Sequence, residues 1–187
     1  MSQYTAPLKD LRFTLKHLAN LEEIASWPGC EDATTDLVDA VLDEAAKFAS
    51  NVLAPLNRAG DETWPTVTNG EVTTVKGWKE AYRQLTQAGW TGLVLDPEYG
   101  GQGLPQTVAC AVQEMWDAAN MAFGLCPMLS QTAAEAIFLK GTKEQKALFL
   151  PRLVSGEWTG TMNLTEPQAG SDLAAVRTRA VPGDDGD

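Results

Sequence analysis

The chain holds one histidine, His17, and three cysteines, Cys30, Cys110 and Cys126, with no C-x-x-C pair. That is too little nitrogen and sulfur for a transition-metal site. A Ser-His-Asp apparatus would rest on His17 alone, which sits between Lys16 and Leu18 and reads as a solvated or capping residue. An odd cysteine count without framework spacing excludes a disulfide-stapled fold and predicts buried free thiols in a reducing compartment. Basic residues are also scarce, with 14 Lys and Arg against 25 Asp and Glu and a formal charge of −11. The clustered cations that attract nucleic acid or anionic lipid are missing, so nucleic acid is excluded as a partner. No basic segment precedes an apolar core near the N-terminus, so no secretory signal is read there. The uncharged stretch 118–134 is interrupted by Asn120, Gly124, Pro127, Ser130 and Gln131. A span needs about 20 mostly apolar residues. The stretch is therefore expected to be two buried helix ends meeting at a bend, with no membrane span and a cytoplasmic location.

What is present is ordinary globular material. With 44% hydrophobic and 21% charged residues over 187 positions, the chain has room for one domain, or one and part of another. After a prelude with two apolar clusters, Thr34 or Thr35 can cap a helix whose apolar residues recur at 37, 41, 45, 48 and 52, with Leu42, Ala49 and Leu53 widening the stripe and Pro55 as its stop. Residues 56–75 read as a polar loop containing Asn69-Gly70. A second helix is expected over about 76–88, carrying Trp78, Tyr82 and Leu85. The loop Asp96-Pro97-Glu98-Tyr99-Gly100-Gly101-Gln102-Gly103 precedes a helix from Pro105 to about Asn120, and another runs from about Pro127 to Leu139. Thr142-Lys143-Glu144-Gln145 has the pattern of a capping box. Pro151 is expected to start a further turn that Gly156 ends. From Trp158 the period changes to two over 158, 160, 162 and 164, predicting a strand, and residues 173–181 predict a second. The expected fold is mainly α: a helical bundle followed by the first strands of a β-domain, divided as 1–33, 34–156 and 157–187.

One segment carries chemistry. Met162-Asn163-Leu164-Thr165-Glu166-Pro167-Gln168-Ala169-Gly170-Ser171-Asp172 leaves the predicted strand and enters a loop with two hydroxyls, two carboxylates, a proline and a glycine. Pro167 fixes the backbone, and Gly170 permits close approach of a ligand or a positive φ. Thr165, Ser171 and backbone N–H groups can hold a flat heterocycle or a phosphate, or the loop is a tight turn whose hydroxyls satisfy themselves.

The order Thr165-Glu166-Pro167-x-Ala169-Gly170-Ser171-Asp172 resembles the flavin-binding signature of the acyl-CoA dehydrogenases. Pro97-Glu98-Tyr99-Gly100-Gly101-Gln102-Gly103 is similar to that family's proline-acid-glycine-glycine loop. Gly141-Thr142-Lys143-Glu144-Gln145-Lys146 with Leu150-Pro151 is similar to its "G-T-x-E-Q-K … L-P" segment. The opening, Tyr4-x-Ala6-Pro7-Leu8-x-Asp10-Leu11-x-Phe13-x-Leu15, resembles the N-terminal extension of its longer bacterial-type members, a subgroup that includes 3-methylmercaptopropionyl-CoA dehydrogenase-like proteins.

This resemblance implies an N-terminal helical domain of the acyl-CoA dehydrogenase type and the start of a truncated β-barrel-like domain. It implies FAD as cofactor and conversion of an acyl-CoA thioester to the trans-2-enoyl-CoA. Electrons would pass to an electron-transfer flavoprotein, and the full-length protein would be a homo-oligomer. Thr165 would bond the isoalloxazine edge. Backbone donors of Met162, Asn163, Leu164 and Thr165 would serve the ring, with Gly170 beside them. Ser171 would reach the FAD pyrophosphate or the acyl-CoA. Gln168 departs from the glycine commonly found at its position. The family's glutamate base would lie beyond Asp187, leaving this chain a fragment without turnover. Two other readings stand beside this one: an acyl-CoA oxidase or flavin monooxygenase of the same fold, and a non-catalytic helical interaction module. Glu166 and Asp172 are expected to serve capping or turns, and Glu114 is expected to be structural. Lys140, Lys143 and Lys146 form a region able to attract CoA phosphate.

Overall fold

The Thr34 hydroxyl accepts the Leu37 amide at 3.3 Å and starts the first long helix. The computed structural model describes residues 4–181 and Gly183. Before this helix, α1 (Leu8–Phe13) widens into a π-turn over Thr14–Leu18, and α2 (Leu21–Ile24) follows. α3 (Thr35–Phe48) then runs through a second π-turn, Ala49–Leu53, into α4 (Ala54–Glu62). Pro55 therefore does not stop the helix as expected. It lacks an N–H and its ring crowds the carbonyl four residues back, so the preceding turn widens and the helix restarts with proline in its first turn. The buried stripe includes the expected Leu42, Ala45, Ala49 and Leu53 and differs from the expected one at Val38 and Leu37. Val38, Leu42, Ala45, Ala49 and Leu53 are enclosed, whereas Leu37 is exposed.

Of the loop expected over 56–75, residues 56–62 belong to α4 instead, and the remainder contains a short antiparallel hairpin, β1 (Thr66–Thr68) with β2 (Glu71–Thr73), in the register Thr66–Thr73, Val67–Val72 and Thr68–Glu71. Asn69 and Gly70 take φ of 52° and 81°, the paired positive angles that a two-residue hairpin turn requires. Both strands are wholly exposed.

α5 (Trp78–Gln87) packs Ala81 and Leu85 into the core. α6 (Gln106–Lys140) joins the two helices expected on either side of residue 120. The bend falls at Asn120, whose φ of −162° and ψ of 82° are not helical. Its buried side chain takes over backbone roles there, accepting the Phe123 amide at 3.1 Å and donating to the Leu53 carbonyl at 3.3 Å. α6 is long and apolar enough to cross a membrane by length and composition. Yet its buried residues, among them Val108, Val112, Met115, Trp116 and Phe123, belong to the bundle core. The expectation of burial fails on the outer face of its second half, where Met121, Leu125 and Met128 are exposed.

α7 (Lys143–Val154) opens on the expected capping box: Thr142 accepts the Gln145 amide at 3.2 Å, and Gln145 accepts the Thr142 amide at 2.8 Å. Pro151 lies inside α7 and does not begin a separate turn. The main core gathers α1, α3, α5 and the first half of α6 around Trp116, which meets Trp90 and Phe48 edge-on at 5.4 and 5.8 Å. A smaller core of Leu95, Ala134, Leu150, Leu153 and Val154 joins α7 to the end of α6.

The two predicted strands at 158–164 and 173–181 are not formed among the described residues. Residues 161–165 are irregular, and Leu173–Ala175 is a single 3₁₀ turn. Alternation alone makes no ladder, because a strand needs a neighbour for its N–H and C=O groups. The C-terminal run Pro182-Gly183-Asp184-Asp185-Gly186-Asp187, turn-like in sequence, lies outside the described residues, Gly183 apart.

Candidate functional site

The segment after α7 is fixed to the bundle at four points before it reaches the Thr165–Asp172 motif. The Thr91 hydroxyl donates to the Val154 carbonyl at 2.6 Å, and the Tyr82 hydroxyl donates to the Gly156 carbonyl at 3.0 Å. The Trp158 amide donates to Arg152 O at 3.0 Å, and the Arg152 guanidinium lies 4.3 Å from the Trp158 ring centroid. The Gly160 amide donates to Ser130 Oγ at 3.1 Å. A Cβ at Gly160 would stand 2.4 Å from Ala133 Cβ, so only glycine lets the backbone lie this close to α6.

The glycine loop supports this attachment from behind. Asp96 caps Pro97–Tyr99 by accepting the Glu98 amide at 2.7 Å. Gly101 N donates to Asp96 O at 3.1 Å, and Gln102 N donates to Gly92 O at 2.8 Å. A Cβ at Gly101 would fall 1.9 Å from Leu95 O, so the loop closes only around glycine. Beside it a cavity of about 710 Å³ opens between the loop, the second half of α6 and α7. Leu95, Phe138, Leu139 and Leu150 form its apolar wall, with Asp96 and Glu135 among its polar lining. This cavity was not read from the sequence, because its wall comes from three elements far apart in the chain.

Beyond Gly160 the chain is open. Met162, Asn163, Leu164 and Thr165 are exposed, with Met162 at 51% and Leu164 at 44%. Their amides have no hydrogen-bond partner among the described residues. The Thr165 and Ser171 hydroxyls likewise have none, so the self-satisfied turn considered above is not what forms. Gly170 does not have a positive φ, and a Cβ there would meet nothing within 4 Å. Its neighbours in this chain thus do not require glycine.

Glu166 and Asp172 serve the loop itself. Glu166 and Ala169 exchange backbone hydrogen bonds at 3.0 and 3.1 Å across Pro167-Gln168, and Ala169 is fully enclosed. The Glu166 carboxylate accepts Thr178 Oγ1 at 2.5 Å, Thr178 N at 2.8 Å and Arg177 N at 3.0 Å, and also accepts Gln168 Nε2. The Thr178 hydroxyl, followed by the Arg177 and Thr178 amides, holds this carboxyl down to a pKa of about 2. Asp172 accepts the Ala174 amide at 3.1 Å and caps the following turn.

Other candidates fall into place. Glu114 is exposed on α6, at the solvent edge of the helix. His17 is exposed in the first π-turn, with its ring 4.9 Å from Phe13. The cysteines are free as expected, but Cys110 and Cys126 are exposed and not buried, because they sit on the sides of α6 away from its core stripe. Lys140 and Lys143 are exposed at the α6–α7 corner, while Lys146 lies 5.2 Å from the Phe138 ring centroid.

A helical bundle that ends in an anchored, open Thr-Glu-Pro loop defines a class, and comparison with known proteins agrees. The profile "Acyl-CoA dehydrogenase, N-terminal domain" matches residues 35–157. The chain belongs to the acyl-CoA dehydrogenase family. It is 42% identical to 3-methylmercaptopropionyl-CoA dehydrogenase of Ruegeria pomeroyi, an alignment covering 98% of this chain and 31% of that protein. Among solved structures, butyryl-CoA dehydrogenase from Megasphaera elsdenii superposes with a TM-score of 0.67 at 28% identity, over 82% of this chain and 38% of that one. A chain from a structural study of the electron transferring flavoprotein of Acidaminococcus fermentans superposes with a TM-score of 0.65 at 28% identity, over 79% and 36%. The chain thus spans about a third of the length of the curated relatives it matches.

Proposed function

We propose that this chain supplies the FAD-facing edge, and part of the acyl-CoA site, of an enzyme that converts an acyl-CoA thioester to the trans-2-enoyl-CoA. Electrons would pass to an electron-transfer flavoprotein. Bound FAD would supply the hydride acceptor for this chemistry.

The observation that carries the reading is the set of unpaired donors at Met162, Asn163, Leu164, Thr165 and Ser171, held in place by the contacts at Trp158 and Gly160. In this reading Thr165 and the amides of 162–165 bind the polar edge of the ring. The Ser171 hydroxyl binds the FAD pyrophosphate or the acyl-CoA, and Gly170 leaves room for them. Donors fixed in advance are effective where negative charge gathers during hydride transfer, because they need not reorganise. The carboxylates nearest the motif are engaged in holding its backbone, which supports placing the base that removes the α-proton outside these residues. The reading keeps 34–156 as the helical domain and 157–187 as the start of the next, with a soluble, cytoplasmic, homo-oligomeric enzyme as the whole.

The test is expression of the complete open reading frame. The expected product is yellow, reduces an artificial acceptor when given an acyl-CoA, and forms enoyl-CoA. A protein that stays colourless after FAD is added overturns the reading in favour of an interaction module. Rapid hydrogen peroxide formation would replace the dehydrogenase by an oxidase.

A further inference from the structure

The residue that departs from the family resemblance, Gln168, makes contacts that a glycine cannot. Its amide nitrogen donates to the Glu166 carboxylate and, at 3.4 Å, to the Ala175 carbonyl. Glu166 in turn accepts the Arg177 and Thr178 amides and the Thr178 hydroxyl. One carboxylate and one carboxamide therefore tie residue 166 to residues 175, 177 and 178, across a segment that forms no strand ladder. Thr165 is adjacent to this knot, and Ser171 lies on the arc that it closes.

We propose that Glu166 and Gln168 form a polar clasp that closes residues 166–178 into a ring and so positions Thr165 and Ser171, making both clasp members positioning residues for the flavin edge. The inference rests on the flavin reading above for what is positioned, and on this chain alone for the clasp. The physical basis is the acceptor capacity of a carboxylate. Its two oxygens offer about four lone-pair sites, and four donors from three residues fill them. Bonds to an ionised acceptor are about twice as strong as neutral ones, so a short exposed loop is held without a hydrophobic core. Gln168 completes the set and adds a second tie through the Ala175 carbonyl. The neighbouring charged groups are Arg177, which contributes its backbone amide, and Asp172, which faces the Ala174 amide.

The experiment measures amide hydrogen exchange and FAD binding on the same preparations of the full-length protein carrying this chain. It compares wild type with Glu166→Ala, Glu166→Gln and Gln168→Gly. In Glu166→Ala the Arg177 and Thr178 amides are expected to exchange on the order of tenfold faster, with α3 and α6 unchanged. FAD affinity is expected to fall on the order of tenfold, with a shifted visible flavin spectrum. Glu166→Gln keeps one acceptor oxygen, so it is expected to protect one of the two amides and to restore part of the affinity. Gln168→Gly is expected to loosen both readouts less than Glu166→Ala. Exchange at Arg177 and Thr178 that is unchanged in Glu166→Ala overturns the clasp. Faster exchange with wild-type FAD affinity and spectrum overturns its positioning role. A wild type that protects both amides, loses that protection in Glu166→Ala and takes up no FAD supports the clasp and overturns the flavin reading instead.

Discussion

At Glu166 a single carboxylate does the work that a strand ladder does elsewhere, and its titration should show it. Its pKa of about 2, against an ordinary 4.5, arises first from the Thr178 hydroxyl and then from the backbone amides of residues 177 and 178. Because the folded value is depressed, the stabilisation is complete above about 4.5 and is lost as pH falls towards 2. The Thr178 amide proton shift, followed by NMR, is expected to titrate with a midpoint near 2. A midpoint near the ordinary glutamate value would show that the carboxylate is free. Gly101 is a second single-residue determinant. Alanine there places a methyl carbon 1.9 Å from Leu95 O, so the turn must open. Gly101→Ala is expected to destabilise the chain by about 2 kcal/mol or more, read as a lower denaturant midpoint.

The helices show how local chemistry and packing divide the labour. The capping box of α7 was legible in four residues because it satisfies orphan amides within one turn. Thr142→Ala is expected to cost about 1 kcal/mol by urea unfolding. The bend of α6 depends on a partner. Asn120 is 1% exposed, and its amide group serves both Phe123 N and Leu53 O. Asn120→Leu leaves both buried backbone groups unpaired and is expected to cost about 1–3 kcal/mol, a larger loss than at Thr142. The continuation of α3 through Pro55 was not legible. Proline usually ends a helix, and only the π-turn geometry, stabilised against α6, lets the chain pass it.

For the whole molecule, stability is concentrated around Trp116, which is 2% exposed between Trp90 and Phe48. Trp116→Ala is expected to cost about 3–5 kcal/mol, because the cavity lies among α3, the Trp90 turn and α6, where the walls cannot collapse. A melting temperature within a few degrees of wild type would show that this cluster is peripheral. The motif loop lies apart from the core, is held by polar contacts, and is expected to exchange its amides well before α3 and α6. The same division bears on chemistry. The carboxylates nearest the motif are occupied structurally, so these 187 residues, given acyl-CoA and an artificial acceptor, are expected to form no enoyl-CoA.

The sequence by itself determined the helices around 37–53, 78–87, 106–140 and 143–154, the caps at Thr34 and Thr142, and which loop carries the family's signature. Each of these is set by spacing within a turn or two, and the backbone responds to its own side chains at that range. It also singled out Thr165 and Ser171, whose hydroxyls have no partner among the described residues. Only the tertiary structure decided that Val38 and not Leu37 is buried on α3, that Asn120 makes the bend of α6 through its contact with Leu53, and that the cavity beside the glycine loop exists, since each depends on residues distant in the chain. The alternation after Trp158 is the clearest case. Its period of two permits a strand, but a strand is made by its neighbour, and here Glu166 and Gln168 hold the loop in its place.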